Sequence, residues 1–134
     1  MRFNADVTGV NLVLELSSAL SPVIVDEVQI QQVCINLIRN AIDAMVDAPG
    51  ELKIQSRQND GKIEVDFIDT GPGVSSDIAE RLFQPFQSSK KDGLGLGLSI
   101  SHKIIADHRG QLSYQQNIPH GSIFKFNLPV ATAK

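Results

Sequence analysis

Between Asp26 and Met45, apolar side chains recur at positions 30, 33, 34, 37, 38, 41, 42 and 45, the three-and-four spacing of a helix with one buried face. Asp26 stands at the head of this pattern with Gln29 three residues on. That is the carboxylate form of a capping box, whose cap is worth about 1 kcal/mol. Pro49 and Gly50 punctuate the far end, so the spacing predicts a helix from Asp26 to about Met45. Upstream, Val10, Leu12, Leu14 and Leu16 alternate, and a Ser/Pro break separates them from the β-branched run Val23 to Val25; this predicts a strand, a turn and a short edge strand. Downstream, "ELKIQSRQ" and "KIEVDFID" read as strands joined through "NDG", where Asp60-Gly61 is a hairpin turn that pairs them antiparallel. A Gly/Pro turn, "DTGPGV", leads to a short helix, "SSDIAERLF", capped by Ser75 or Ser76 with acids in its first turn. "QPFQSSKKDGLGLG" has no period. "LSISHKIIADH" is a second well-formed helix closed by Gly110 as C-cap, and "QLSYQQ" and "SIFKFNL" are two last strands separated by "NIPHG".

The order ββα-ββ-α-loop-α-ββ predicts an α/β sandwich: a mixed, mainly antiparallel sheet with about three helices layered on one face. At 134 residues the chain reads as one domain, 1–134, with its core at about 9–130 and a short "ATAK" tail. The lone Cys34 falls inside the helical apolar pattern and reads as a small buried hydrophobe in a reducing compartment. With 12 Lys+Arg against 15 Asp+Glu, net charge −3, no basic footprint for nucleic acid exists. No apolar run approaches the roughly 20 residues of a membrane span, and "MRFNADVTGV" lacks the apolar core of a signal peptide, so no direct membrane contact is expected.

On the long helix Gln29, Gln32, Asn36, Asn40 and Asp43 follow spacings of three and four and form one polar stripe. Taken alone, such a stripe is more often a solvated face. Solvated faces usually carry Lys and Glu, however, whereas carboxamides four apart offer oxygen ligands to a hard cation such as Mg2+, which keeps several waters and is commonly completed by nucleotide phosphates. The turn "IDTGPGV" follows a strand ending on Asp69. A plain β-turn accounts for its glycines and proline but not for the Asp. An ionised carboxylate only accepts hydrogen bonds, so Asp69 over a glycine floor can read the exocyclic amine of adenine and repel the carbonyl of guanine, while Gly71 and Gly73 let a flat ring approach the backbone. In "KKDGLGLGLSI", Gly93, Gly95 and Gly97 precede a helix, where free N–H groups favour phosphate. A dinucleotide fingerprint would need glycine at Leu98 or Ile100 and a preceding strand, and no P-loop pattern occurs. The hinge of a mobile lid remains, with Lys90 able to meet phosphate charge and Lys91 read as solvated. Phe83 and Phe86 bracket a proline at the start of that lid; core packing, at about 1.5–3 kcal/mol each, is the default, and they are its anchors if it moves. His102, His108 and His120 suit a helix surface, a helix C-terminus and a turn, with neither metal spacing nor a nucleophile partner.

An Asn helix, an Asp-Gly turn, a Phe pair and a Gly lid, in that order from about Gly9 to Val130, closely resemble the catalytic, ATP-binding domain of bacterial sensor histidine kinases, in the superfamily shared with gyrase B, Hsp90 and MutL. "NLIRNAIDA" resembles the N box, "DTGPG" the G1 box, "FQPF" the F box and "GLGLGLS" the G2 box. "FQSSK" is similar to the lid element of the nitrogen-regulation and oxygen-sensing nitrogen-fixation kinases. The resemblance implies the Bergerat ATP-binding fold, a mixed sheet under three helices, and the cofactors ATP and Mg2+. It implies Asn40 as the side-chain Mg2+ ligand, Asn36 as support for metal waters and phosphates, and Asp69 as the reader of adenine in a pocket shaped by Gly71 and Gly73. Lys90 meets the γ-phosphate and with Asn36 is catalytic; Asp43, Gly93, Leu94, Gly95, Leu96 and Gly97 complete the nucleotide site. Relatives that hydrolyse ATP carry Glu where Asn36 stands, so the resemblance implies transfer rather than hydrolysis, resting on positioning and charge neutralisation.

Two departures stand out. The usual His-Gly-Gly after the last helix is here "HRG", expected to be a tolerated surface change. The acceptor histidine that such kinases carry on an upstream two-helix dimerisation segment has no counterpart in these residues. The chain therefore reads as an excised domain, monomeric and cytoplasmic whether or not its parent is membrane-anchored. Its expected partners are the parent's dimerisation and histidine-phosphotransfer domain and, indirectly, a response regulator. A stand-alone anti-sigma-factor-type serine kinase is the nearest rival, but its relatives use Glu at the place of Asn36. A non-catalytic nucleotide-binding regulatory module is the second, against which stand Lys90 and the three lid glycines.

Overall fold

The computed structural model describes residues 2–7, 9–45, 50–80, 82–84 and 94–131. Its strands are β1 (Arg2–Val7), β2 (Val10–Glu15), β3 (Gly50–Asn59), β4 (Lys62–Asp69), β5 (Gln111–Gln116) and β6 (Ser122–Pro129), in one sheet ordered β1-β2-β3-β4-β6-β5. Among the described strands only β2 and β3 run parallel. Parallel neighbours need a long crossover, and α1 (Glu27–Ala44) supplies it. The remaining helices among the described residues are α2 (Ser76–Ala79) and α3 (Leu94–Asp107). Asp60 and Gly61 turn the β3–β4 hairpin with φ of 53° and 75°, the two positive values a two-residue type I′ turn requires.

The capping of α1 follows the sequence: the Gln29 N–H donates to Asp26 Oδ1 at 3.2 Å. The other half of a capping box, a partner for the cap's own N–H, comes from elsewhere. Asp26 N–H donates to His108 Nε2 at 3.1 Å, and His108 Nδ1 lies 2.8 Å from the Ile104 carbonyl. These two contacts of the His108 ring tie the end of α3 to the start of α1.

The mixed sheet under three helices agrees with the sandwich expected. Val33, Leu37 and Ala41 of α1 are buried in one cluster with Leu52, Ile54, Phe67, Phe124, Phe126 and, from α3, Leu98 and Ile105. β6 alternates strictly, with Ser122, Phe124, Phe126 and Leu128 inward. The opposite sheet face is mainly polar, with Val13, Ile68 and Ile123 in one row across it, and there Arg57 spans Glu64 at 2.8 Å and Asp66 at 2.7 Å. Cys34 is half-buried within α1, and burial pushes its thiol up from the ordinary value.

Four expectations are corrected. Val23–Val25 forms no strand. Its segment is held by single bonds, Ser17 N–H to Ser56 Oγ at 3.0 Å, Ser21 N–H to Gln58 Oε1 at 2.8 Å and Ala131 N–H to Pro22 O at 2.8 Å, rather than by a ladder. The partner of β2 is instead β1, from a stretch whose polar Asn4 and Asp6 masked its strand character. The short helix after Ser75 stops at Ala79. α3 begins at Leu94 instead of Leu98, so Gly95 and Gly97 lie inside its first turns; packing of α3 on α1 overrides the cost of about 1 kcal/mol per helical glycine.

The end of α3 also departs from the expected glycine cap. Gly110 N–H bonds Ile105 O at 2.9 Å and Arg109 N–H bonds Ala106 O at 3.0 Å, the paired bonds of a Schellman motif. The left-handed residue of that motif is Arg109, at φ 66°, and not Gly110. Gly110 is required for another reason, since a Cβ there would stand 1.9 Å from Asn127 O. A left-handed non-glycine residue costs roughly 1–2 kcal/mol, partly offset by the extra freedom glycine gives the unfolded chain. Arg109→Gly is therefore expected to stabilise the chain by about 0.5–1 kcal/mol, read as a higher denaturation midpoint at unchanged slope.

Candidate functional site

Asp69 ends β4 and is 5% exposed. Its Oδ1 accepts two backbone N–H donors, Gly71 at 2.9 Å and Ser122 at 3.1 Å, while no described residue donates to Oδ2. Burial pushes the carboxyl above the ordinary aspartate value, and the two N–H donors partly oppose that rise. The side chain is thus fixed in direction with one oxygen left to meet a ligand.

Beneath it, a Cβ on Gly71 would lie 3.2 Å from both Asp69 Oδ1 and Met45 Cγ, so the turn after β4 rests on the C-terminal end of α1. Thr70 prolongs the β3 ladder, its N–H bonding Glu51 O at 3.2 Å and its Oγ1 accepting from Glu51 N–H at 3.0 Å. Gly73 adopts φ +80°, where a Cβ would come 3.0 Å from Gly121 O.

The segment between β5 and β6 closes over this turn. Asn117 Nδ2 donates to Asp69 O at 2.9 Å, His120 Nδ1 lies 3.0 Å from Gly71 O, and Gly121, at φ +117°, passes so close that a Cβ would stand 2.0 Å from Asp69 O. Sequence reading placed "NIPHG" only as a connection and gave His120 no part. A signal was available: antiparallel pairing of β4 with the last strand sets Asp69 opposite Ser122, which puts the residue before that strand against the Asp-Gly turn.

Further along α1, Gln29, Gln32 and Asp43 are exposed and Asn36 and Asn40 half-buried. Asn36 Nδ2 donates to Ser101 Oγ at 3.1 Å and to Gly97 O at 3.4 Å, so its amide nitrogen is committed to α3. Ser101 is fully buried and was not singled out from sequence, although its place four residues after Gly97 puts it on the same helix face. A Cβ on Gly97 would meet the Asn36 carboxamide at 3.8 Å. Asn40 Nδ2 is buried with no partner, which costs about 1–3 kcal/mol unless something else meets the amide. Turned over, the same group presents its oxygen, and an oxygen there suits a hard cation or its waters.

The backbone of Leu94, Gly95 and Leu96 lies in α3. Lys90, Lys91, Gly93 and Phe86 lie outside the described residues. Phe83 is half-buried, stacked on His102 at 4.9 Å and edge-on to Phe124 at 6.4 Å, so it anchors its segment to both α3 and the sheet.

The fold is thus an α/β sandwich with a directed carboxylate over glycines at one end of α1 and, further along it, the Asn36 carboxamide against a glycine-bearing turn of α3. Residues 25–132 match the family of histidine kinase-, DNA gyrase B- and HSP90-like ATPases. The chain belongs to that family, and its fold is that of a histidine kinase catalytic domain. It is 42% identical over 125 residues to the sensor protein FixL of Bradyrhizobium diazoefficiens, covering 92% of this chain and 25% of that protein. It superposes on the catalytic domain of the histidine kinase ThkA with a TM-score of 0.81 at 36% identity, covering 91% of this chain and 80% of that one. Full-length ShkA, solved in complex with AMPPNP, gives a TM-score of 0.80 at 31% identity, covering 94% of this chain and 27% of that one. The chain thus spans about a quarter of the length of FixL. No helix among the described residues is long and apolar enough to cross a membrane.

Proposed function

We propose that the chain is the ATP-binding catalytic part of a two-component sensor histidine kinase, which transfers the γ-phosphate of ATP to an acceptor histidine on the parent's dimerisation domain, from which a response regulator receives it. The observation that carries this reading is Asn36. A carboxamide whose nitrogen is held by Ser101 and Gly97 cannot take a proton from water, so the stripe holds ATP without a hydrolytic base. The same feature argues against a serine kinase of the type that carries Glu there.

In this reading Asp69 Oδ2 accepts the adenine amine and Gly71 and Gly73 form the floor under the ring. Asn36 and Asp43 flank the phosphate end of the site, and Lys90, with Gly93 to Gly97, faces the phosphates. Asn40 would hold Mg2+; among the described residues no three His, Cys, Asp or Glu side chains stand together as a metal cage, which suits an ion completed by nucleotide oxygens. An ion held there would supply neutralisation of phosphate charge. The acceptor nitrogen attacks phosphorus in line, the bond from phosphorus to the β–γ bridging oxygen breaks, and ADP leaves with that electron pair; the chain contributes alignment rather than covalent chemistry.

Asn40→Asp is expected to change the Mg2+ dependence of ATP binding and to suppress transfer by at least about tenfold, with the fold intact by circular dichroism. Radiolabelled transfer to a supplied dimerisation domain measures it, acid-labile product marking phosphohistidine. Retained transfer in the variant overturns the metal assignment.

A further inference from the structure

α1 carries a third surface besides its buried face and its polar stripe. Val28, Ile35 and Ile42 follow at seven-residue spacing, with Ile38 between the last two. Val28 is 72% and Ile35 52% exposed, and Ile38 and Ile42 are half-buried, Ile38 against the edge of the core. Single exposed aliphatic residues need no explanation. An aliphatic line over two helical repeats on the outer side of a helix does, because that side is ordinarily polar.

The spacing is that of heptad positions a (28, 35, 42) and d (38), with the exposed Gln31 at the preceding d, the pattern that receives another helix by knobs-into-holes packing; a strand would need a repeat of two. Ile35, Ile38 and Ile42 line a shallow groove with Arg39, which stands at the flanking e position. Arg39 is exposed and has no acidic partner among the described residues. Its guanidinium selects a carboxylate on whatever fills the groove. A membrane surface is a poorer match, since interfacial helices are flanked by many basic residues and this seam has one.

We propose that this face of α1 is a docking seam for one amphipathic helix of a partner, with aliphatic residues at a and d spacing and Asp or Glu on the flank that meets Arg39. The seam and the nucleotide stripe occupy different sectors of α1, so the proposal does not rest on the kinase reading.

The test uses the isotope-labelled chain titrated with two synthetic helical peptides of about three heptads. Both carry Leu at a and d, one with Glu and the other with Lys at e and g. The Glu peptide is expected to shift the amide signals of residues 28–42 and to bind at least about tenfold tighter. The chain's net charge of −3 favours the Lys peptide non-specifically, so a Glu preference reports Arg39. Arg39→Glu reverses the preference, and Ile35→Asp abolishes peptide binding while ATP binding is unchanged. Equal affinity for the two peptides, shifts confined to other elements, insensitivity to Ile35→Asp, or no binding would overturn the proposal. Binding to anionic phosphatidylserine vesicles in place of either peptide would overturn it as well.

Discussion

Gly121→Ala is expected to abolish ATP binding and to destabilise the chain by about 2–5 kcal/mol. The new Cβ would stand 2.0 Å from Asp69 O, 2.9 Å from Asp69 C and 3.1 Å from Thr70 Cα. These are backbone atoms and cannot rotate aside as a side chain would. The residue also sits at φ +117°, a region open to glycine and closed to alanine. Relief requires the start of β6 to draw away from the end of β4, and that motion breaks the bonds from Ser122 N–H and Asn117 Nδ2 to Asp69. The substitution therefore strikes stability and the proposed adenine reader together, although residue 121 carries no chemistry of its own. Urea denaturation measures the first effect. ATP titration at a temperature where the variant is folded measures the second, and a variant with wild-type affinity would show that the β5–β6 connection does not hold the site.

Asp69→Asn separates binding from folding. The asparagine keeps an oxygen for the Gly71 and Ser122 N–H donors, and its nitrogen takes the place of Oδ2, which has no described donor, so the local geometry persists. Burial raises the Asp69 carboxyl, so its contribution to stability is present below the ordinary aspartate range and is lost as pH climbs through the raised value. An uncharged side chain removes that loss, and the variant is expected to be no less stable than wild type at neutral pH. Binding behaves in the opposite sense. In the proposed site the adenine amine needs an acceptor, which the ionised carboxylate offers best and the amide nitrogen does not offer at all. ATP affinity is therefore expected to fall by about 1–3 kcal/mol, roughly 5- to 150-fold, on substitution. In wild type, affinity weakens as pH drops through the raised carboxyl value, whereas in the variant that dependence is absent.

Much of this site was legible because its parts are local. The Asp26 cap, the stripe through Asn36 and Asn40, the Asp60-Gly61 hairpin and the Asp69 turn each declare themselves within a few residues of chain, and the structure puts them where the spacing implied. What escaped is made by pairing over distance. Gly121 matters through the side chain it lacks, Ser122 and Asn117 through bonds to a strand some fifty residues earlier, and Ser101 through a hydroxyl that only helix packing brings to Asn36. The first strands failed for a related reason. Val23–Val25 has strand composition without a neighbour to pair with, while β1 has weak composition and a full antiparallel partner in β2. Arg109 shows the converse: local rules assign the left-handed position to glycine, and here a packed end of α3 holds an arginine in it.

Calorimetric titration of ATP into the wild-type chain and Asp69→Asn, at neutral pH and again at a pH near the ordinary aspartate value, tests the nucleotide site most directly. The account predicts one ATP site in wild type that weakens with acidification, and in the folded variant a site weaker by about 5- to 150-fold at neutral pH with little change between the two conditions. Equal ATP affinity in the two chains at neutral pH, or the absence of ATP binding by wild type, would contradict it.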